Sequence, residues 1–200
     1  MLLVVLAIVG IVYGYLIHKL AIWSLRGREY RQQAAAVWVA SIGMASLLPL
    51  LYMINPGYFP LHGIVAGLLF WILLTDWLAM LILNQTLLIC LLPIMALRLL
   101  YPLPGGIVDS LLGMAGGFII MLILGIASRG NIGGGDIKLY ALLGFVFGWS
   151  GILSNLFIAS VLALGGTLLF IVIRRRTAAA SIPFGPYIAL SSCLLLLVPV

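Results

Sequence analysis

Four acidic residues occur in this 200-residue chain, and two of them stand where a carboxylate is costly. Asp76 lies inside the apolar stretch Leu73-Leu74-Thr75-Asp76-Trp77, and Asp136 closes the glycine run Gly133-Gly134-Gly135 ahead of Ile137 and Lys138. An ionisable group within or at the edge of a bilayer is by default a candidate for function, and its partner must be sought. Here each aspartate is the candidate partner of the other. Two carboxyls in one site do not both ionise easily, so they hold one proton between them and titrate as a unit. Such a pair offers a base to take a proton from water and an acid to polarise a carbonyl, which is the chemistry of aspartyl peptide hydrolysis. Gly133, Gly134 and Gly135 add backbone freedom and room for close approach of a second backbone, as an extended peptide requires. Lys138 either tunes the carboxylates or anchors a helix end at the interface.

The elements that must position this pair are membrane spans. A chain that is 65% apolar and 7% charged, with mean hydropathy +1.33, lacks the polar cover of a soluble domain. At roughly 20 residues per span, it has room for about seven or eight helices. The expected fold is therefore an all-α polytopic transmembrane bundle, one membrane-embedded domain over residues 1–200 with no separate soluble domain. The net charge of +6 would suit nucleic acid, but the basic residues sit at the ends of apolar runs, where they set orientation. Membrane lipid, not nucleic acid, is the expected surrounding.

Counting spans from the first apolar run places the N-terminus outside, because Lys19, Arg26, Arg28 and Arg31 all follow that run. The expected spans are 1–16, 34–54, 61–78, 86–100, 109–127, 139–149, 151–173 and 187–200. Asn55-Pro56-Gly57-Tyr58 and the Pro-Gly stretch at 101–106 turn the chain outside. Loops at 26–33, 83–85, 128–135 and 174–176 lie inside, so both aspartates reach one face. Gly63 and Gly67, and Gly113 and Gly117, have the small-xxx-small spacing of close helix packing.

Other readings of the same residues are blander. Asp136 also suits a helix N-cap, Asp76 an ion or proton relay, and Asp109 a plain N-cap after the outer turn. Glu29 reads as a solvated loop residue. Cys90 and Cys193 stand apart in apolar runs and read as small core residues. His18 and His62 have no ligand-forming neighbours in sequence, so no metal and no cofactor is expected. Trp23, Trp38, Trp71, Trp77 and Trp149 mostly fall near span ends, as interfacial aromatics do. A transporter using Asp76 and Asp136 as a relay would show inverted repeats and midplane aspartates, and the sequence shows neither.

Two motifs then carry a resemblance. Gly133-Gly134-Gly135-Asp136-Ile137-Lys138-Leu139 resembles the signature of the type IV prepilin peptidases, membrane aspartyl proteases of the GxGD class, and Ile182-Pro183-Phe184-Gly185-Pro186-Tyr187 resembles their Pro-Phe-Gly-Pro element. The resemblance spans about residues 76–189. It implies that Asp76 and Asp136 are catalytic, that Gly133, Gly134, Gly135, Lys138, Pro183, Phe184, Gly185 and Pro186 support the site, and that the substrate is a type IV prepilin or pseudopilin. Such a substrate has a basic leader and an apolar helix, and is cut on the cytoplasmic side of the inner membrane; a preflagellin is the nearest alternative. Two departures stand out: no Pro-Asn or Pro-Asp turn follows Asp76, and the loop at 24–33 lacks the Cys-x-x-Cys pairs that many members carry with an N-methyltransferase activity. Peptidase activity without methylation is the expectation. Oligomeric state is not legible.

Overall fold

The computed structural model describes residues 1–26, 35–102, 105–128, 132–174 and 184–199. Every regular element among them is helical. The helices are α1 (Leu2–Ser24), α2 (Ala35–Ile54), α3 (Phe59–Ala79, entered through a short 3-10 turn, Pro56–Tyr58), α4 (Asn84–Leu100), α5 (Gly106–Ala127), α6 (Gly134–Arg174) and α7 (Gly185–Leu196). Five are long and apolar enough to cross a membrane, counting the turn with α3, while α4 and α7 are shorter apolar helices. Their outward faces carry large apolar side chains such as Leu92, Phe157 and Ile126, at 75%, 70% and 72% exposure. Water does not tolerate that much unrelieved apolar surface, and the chain is a multi-pass membrane protein.

α6 is two helices in one. Gly148 has φ 72 and ψ −174, a region essentially closed to residues with a Cβ, and there the chain turns back on itself. In the first arm, Ile137 lies by Gly125 and Gly144 by Gly113, so it runs antiparallel to α5. In the second arm, Asn155 meets Ser192 and Gly166 meets Tyr187, so it runs antiparallel to α7. The expected reversal near residue 150 is therefore present, inside what is nominally a 41-residue helix.

Helix contacts rely on bare backbone. Gly10 and Gly14 of α1 lie against the α2 backbone from Ala40 to Ala45, and Gly113 of α5 lies directly on Gly144 of α6. In lipid, where apolar burial gives little preference for a partner helix, such close approach is what brings helices together.

The helices alternate in direction, which sorts the connections into two ends. Asn55, Tyr58, Pro102, Gly148 and the C-terminal end of α7 gather at one end: Tyr58 donates to the Pro102 carbonyl at 3.2 Å, and Asn55 Nδ2 donates to the carbonyls of Leu196 and Val198 at 3.3 and 3.0 Å. The α3–α4 linker and the starts of α6 and α7 gather at the other. Both key aspartates are there.

Several boundaries differ from expectation. α1 runs on to Ser24 and α5 begins at Gly106, because polar residues at a membrane interface do not stop a helix that tertiary packing supports. Asn84 and Gln85 belong to α4, not to a loop. Trp71 faces the interior of the bundle and not lipid: it is 5% exposed, and its indole N–H donates to Ser24 Oγ at 3.3 Å. Residues 27–34, with Glu29, and Arg175 and Arg176 of the basic marker that begins at the end of α6 lie outside the described residues.

Candidate active site

α3 carries Asp76 in its last turn. The helix stops three residues later because Met80 takes a left-handed conformation, φ 52, while its N–H still reaches the Asp76 carbonyl at 2.8 Å. That conformation costs a residue with a Cβ about 1–2 kcal/mol, and no other described non-glycine residue adopts it. The turn sends residues 80–83 across the start of α6. There Gly135 lies against Ile82 so closely that an added Cβ would stand 2.7 Å from the Ile82 Cβ and 2.9 Å from its carbonyl oxygen.

That contact corrects the reading of the glycine run. Gly134 and Gly135 are the first helical residues of α6, and among the described residues only Gly105, Gly106 and Gly148 are glycines with positive φ. Conformational freedom is not what the run supplies. Gly135 is small so that the linker after Asp76 can touch the helix that carries Asp136, while a Cβ on Gly134 would meet nothing.

Asp136 stands in the first turn of α6. Gly133 is the cap: its carbonyl accepts from the N–H groups of Asp136 and Ile137 at 3.0 and 3.5 Å, and its own N–H donates to Asp136 Oδ2 at 3.2 Å. This is the return half of a capping box, so Asp136 occupies its third position and is not the N-cap. A carboxylate there also faces the positive end of the helix.

Asp76 is 6% exposed, and its Oδ2 accepts from the N–H of Gly185 at 3.0 Å. Gly185 opens α7, followed by Pro186, whose missing N–H costs nothing in a first turn. A Cβ on Gly185 would stand 2.9 Å from the Asp76 carboxyl carbon, so the bond needs glycine there. α7 is held in place along its length, by Asn55 at its C-terminal end and by a buried 2.8 Å bond from Asn155 Nδ2 to Ser192 Oγ. Phe184 packs against the apolar core. Pro183 lies outside the described residues.

The two carboxylates lie at the same end of the bundle, within range of mutual electrostatic influence. There Gly135, the residue before Asp136, packs on Ile82 of the linker that follows Asp76. Each accepts a backbone N–H from a helix start, and no cation is bonded to either among the described residues. Lys138 points elsewhere, its Nζ donating to Asn84 Oδ1 at 3.0 Å and tying α6 to the start of α4. Beside that bond opens a cavity of about 370 Å³ between α4, α5 and α6, with Leu87, Leu91, Met114 and Phe145 among its walls.

Asp109 is at the far end, and it is not an N-cap. Gly105 caps α5, while Asp109 Oδ1 accepts the N–H of Trp149 at 3.2 Å, the first residue after the break in α6. His18, His62, Cys90 and Cys193 form no group with the aspartates that could hold a metal ion, among the described residues.

Residues 63–170 match the model of the type IV leader peptidase family, a stretch that includes both Asp76 and Asp136. A prepilin leader peptidase/N-methyltransferase of Bacillus subtilis is 38% identical over 130 residues, covering 64% of this chain and 51% of the relative. One of Aeromonas hydrophila with the same description is 31% identical over 114 residues, 53% of this chain and 39% of the relative. The chain thus spans about half the length of the first of these relatives and less of the second. No solved structure matches it.

Proposed function

Because the chain belongs to the type IV leader peptidase family, we propose that it is an aspartyl endopeptidase that removes the basic leader of type IV prepilins or pseudopilins at the cytoplasmic face of the inner membrane. The observation that carries this reading is the convergence of Asp76 and Asp136, from separate helices, on one end of the bundle, where Gly135 packs on Ile82 of the linker after Asp76. Arg26, Arg28, Arg31 and Lys138 accompany that end in the sequence, which supports a cytoplasmic orientation.

In the proposed reaction, the ionised carboxylate takes a proton from water as the water oxygen attacks the scissile carbonyl carbon. The carbonyl oxygen gains the electron pair of the broken π bond and is met by the proton of the other carboxyl. Collapse of the tetrahedral species re-forms the carbonyl, which returns its proton to the second carboxyl, and breaks the C–N bond as the first carboxyl gives its proton to the leaving amine. The pair must start with one proton between the two groups, so the rate rises and falls with pH as each protonation state is lost.

The cavity beside Lys138, about 370 Å³, cannot enclose a helix about 10–12 Å across. It suits apolar side chains of a substrate helix lying along α4 and α6, with the leader reaching the aspartates. The loop between α1 and α2 holds no cysteine, so this chain cleaves without methylating the new N-terminus.

The test is incubation of the purified protein in lipid with a prepilin and S-adenosylmethionine, with product masses measured. Loss of the leader alone is the expected result. An uncleaved substrate contradicts the peptidase reading, and a cleaved, methylated product contradicts only the second part.

A further inference from the structure

One polar group near the aspartates is unaccounted for. Tyr140 is 1% exposed, and its hydroxyl has no hydrogen-bond partner among the described residues. Buried hydroxyls are normally paired, and each exception calls for a reason. Packing does not supply one, because phenylalanine would fill almost the same space without an orphaned donor.

Position supplies it. Tyr140 follows Asp136 by four residues on the first arm of α6, a spacing that puts two side chains on one face of a helix. Long helical side chains lean toward the helix N-terminus, so the ring of Tyr140 lies over the turn that holds Asp136. The hydroxyl is near enough to feel the charge of Asp136. The backbone of Tyr140 meanwhile packs on Gly117 of α5, which fixes the ring's root.

Resting on the peptidase reading above, we propose that Tyr140 is a third catalytic residue, whose hydroxyl donates a hydrogen bond to the carbonyl oxygen of the scissile peptide as negative charge develops on it. A donor aimed at a charge that exists only during the reaction has no partner at rest. Held by the helix in a site screened from water, it needs no reorganisation when the charge appears. The hydroxyl keeps its proton throughout, and bond making and breaking remain with the two aspartates.

The test is Tyr140→Phe, assayed for kcat, KM and thermal unfolding beside the wild type and Asp136→Asn. Removal of one such donor lowers kcat about 10²–10³-fold with KM within about twofold, while the melting temperature stays level or rises because an unpaired buried hydroxyl has gone. A kcat within about threefold of wild type overturns the proposal, as does a fall in activity matched by a lower melting temperature, which would make the tyrosine structural. If Asp136→Asn is inactive while Tyr140→Phe is not, only the tyrosine proposal fails. If Asp136→Asn cleaves as well as the wild type, the aspartyl reading fails with it.

Discussion

Asp109 and the Asp76–Asp136 pair are carboxylates at opposite ends of one bundle, and they are put to different uses. Asp109 answers a structural need: the reversal at Gly148 leaves α6 restarting with unpaired N–H groups, and Asp109 accepts one from across the α5–α6 contact. At the other end, Asp76 takes an N–H from α7, and Asp136 takes one from its own helix start. Both bonds orient carboxylates that share one end of the bundle. A carboxylate that caps a helix break is in place for the fold. Two carboxylates gathered at one end with no cation bonded to either among the described residues are what the proposed chemistry needs, since their repulsion is a cost that packing alone would not require.

Substitutions of the residues that position the carboxylates sharpen this contrast, and among these the largest effect falls on Gly185. In Gly185→Ala the new methyl overlaps the Asp76 carboxylate and turns it away from Asp136. Cleavage should fall by about 10²-fold, as a displacement of about 1 Å from reacting geometry costs, with the protein still inserted and folded. Wild-type cleavage rates would show that the Asp76–Gly185 bond does not position the carboxylate. Next comes Gly135→Ala, which forces the Ile82 linker off the start of α6. A rate loss of about tenfold, larger than any change in melting temperature, is the expected reading from parallel assays.

Gly148→Ala moves the test to the far end. An alanine there meets both a forbidden backbone conformation and the Asp109 carboxylate, at a cost of about 1–3 kcal/mol or more. Thermal unfolding should register it, while cleavage per folded molecule holds. The smallest effect belongs to Asp109→Asn, which keeps an acceptor for Trp149 but loses its charge. About 0.5–1 kcal/mol of stability goes, and the rate is unchanged.

Much of this was legible in the sequence. The rarity of acidic residues singled out Asp76 and Asp136, and counting apolar runs put them at one end before any contact was known. The reversal near Gly148 was legible too, because a glycine, an interfacial tryptophan and the length of the apolar run agree there. What failed depended on partners distant in the chain. Asp109 looks like a local cap because its acceptor role is to Trp149, 40 residues on. The glycine run looks flexible because nothing in its own sequence announces Ile82 packed against Gly135. Gly185 as the donor to Asp76, 109 residues away, carried no local signal beyond its motif. Tyr140 stands in no motif of its own, and its spacing of four from Asp136 is the one clue the sequence offers.

The most direct measurement is cleavage of a co-expressed prepilin by Asp76→Asn, Asp136→Asn and Asp109→Asn, each shown to be inserted at wild-type levels. Loss of cleavage by about 10³-fold or more in the first two, with full cleavage in the third, is the predicted result. Cleavage that survives in Asp76→Asn or Asp136→Asn, or that is lost equally in all three, would contradict the division between a catalytic and a structural end.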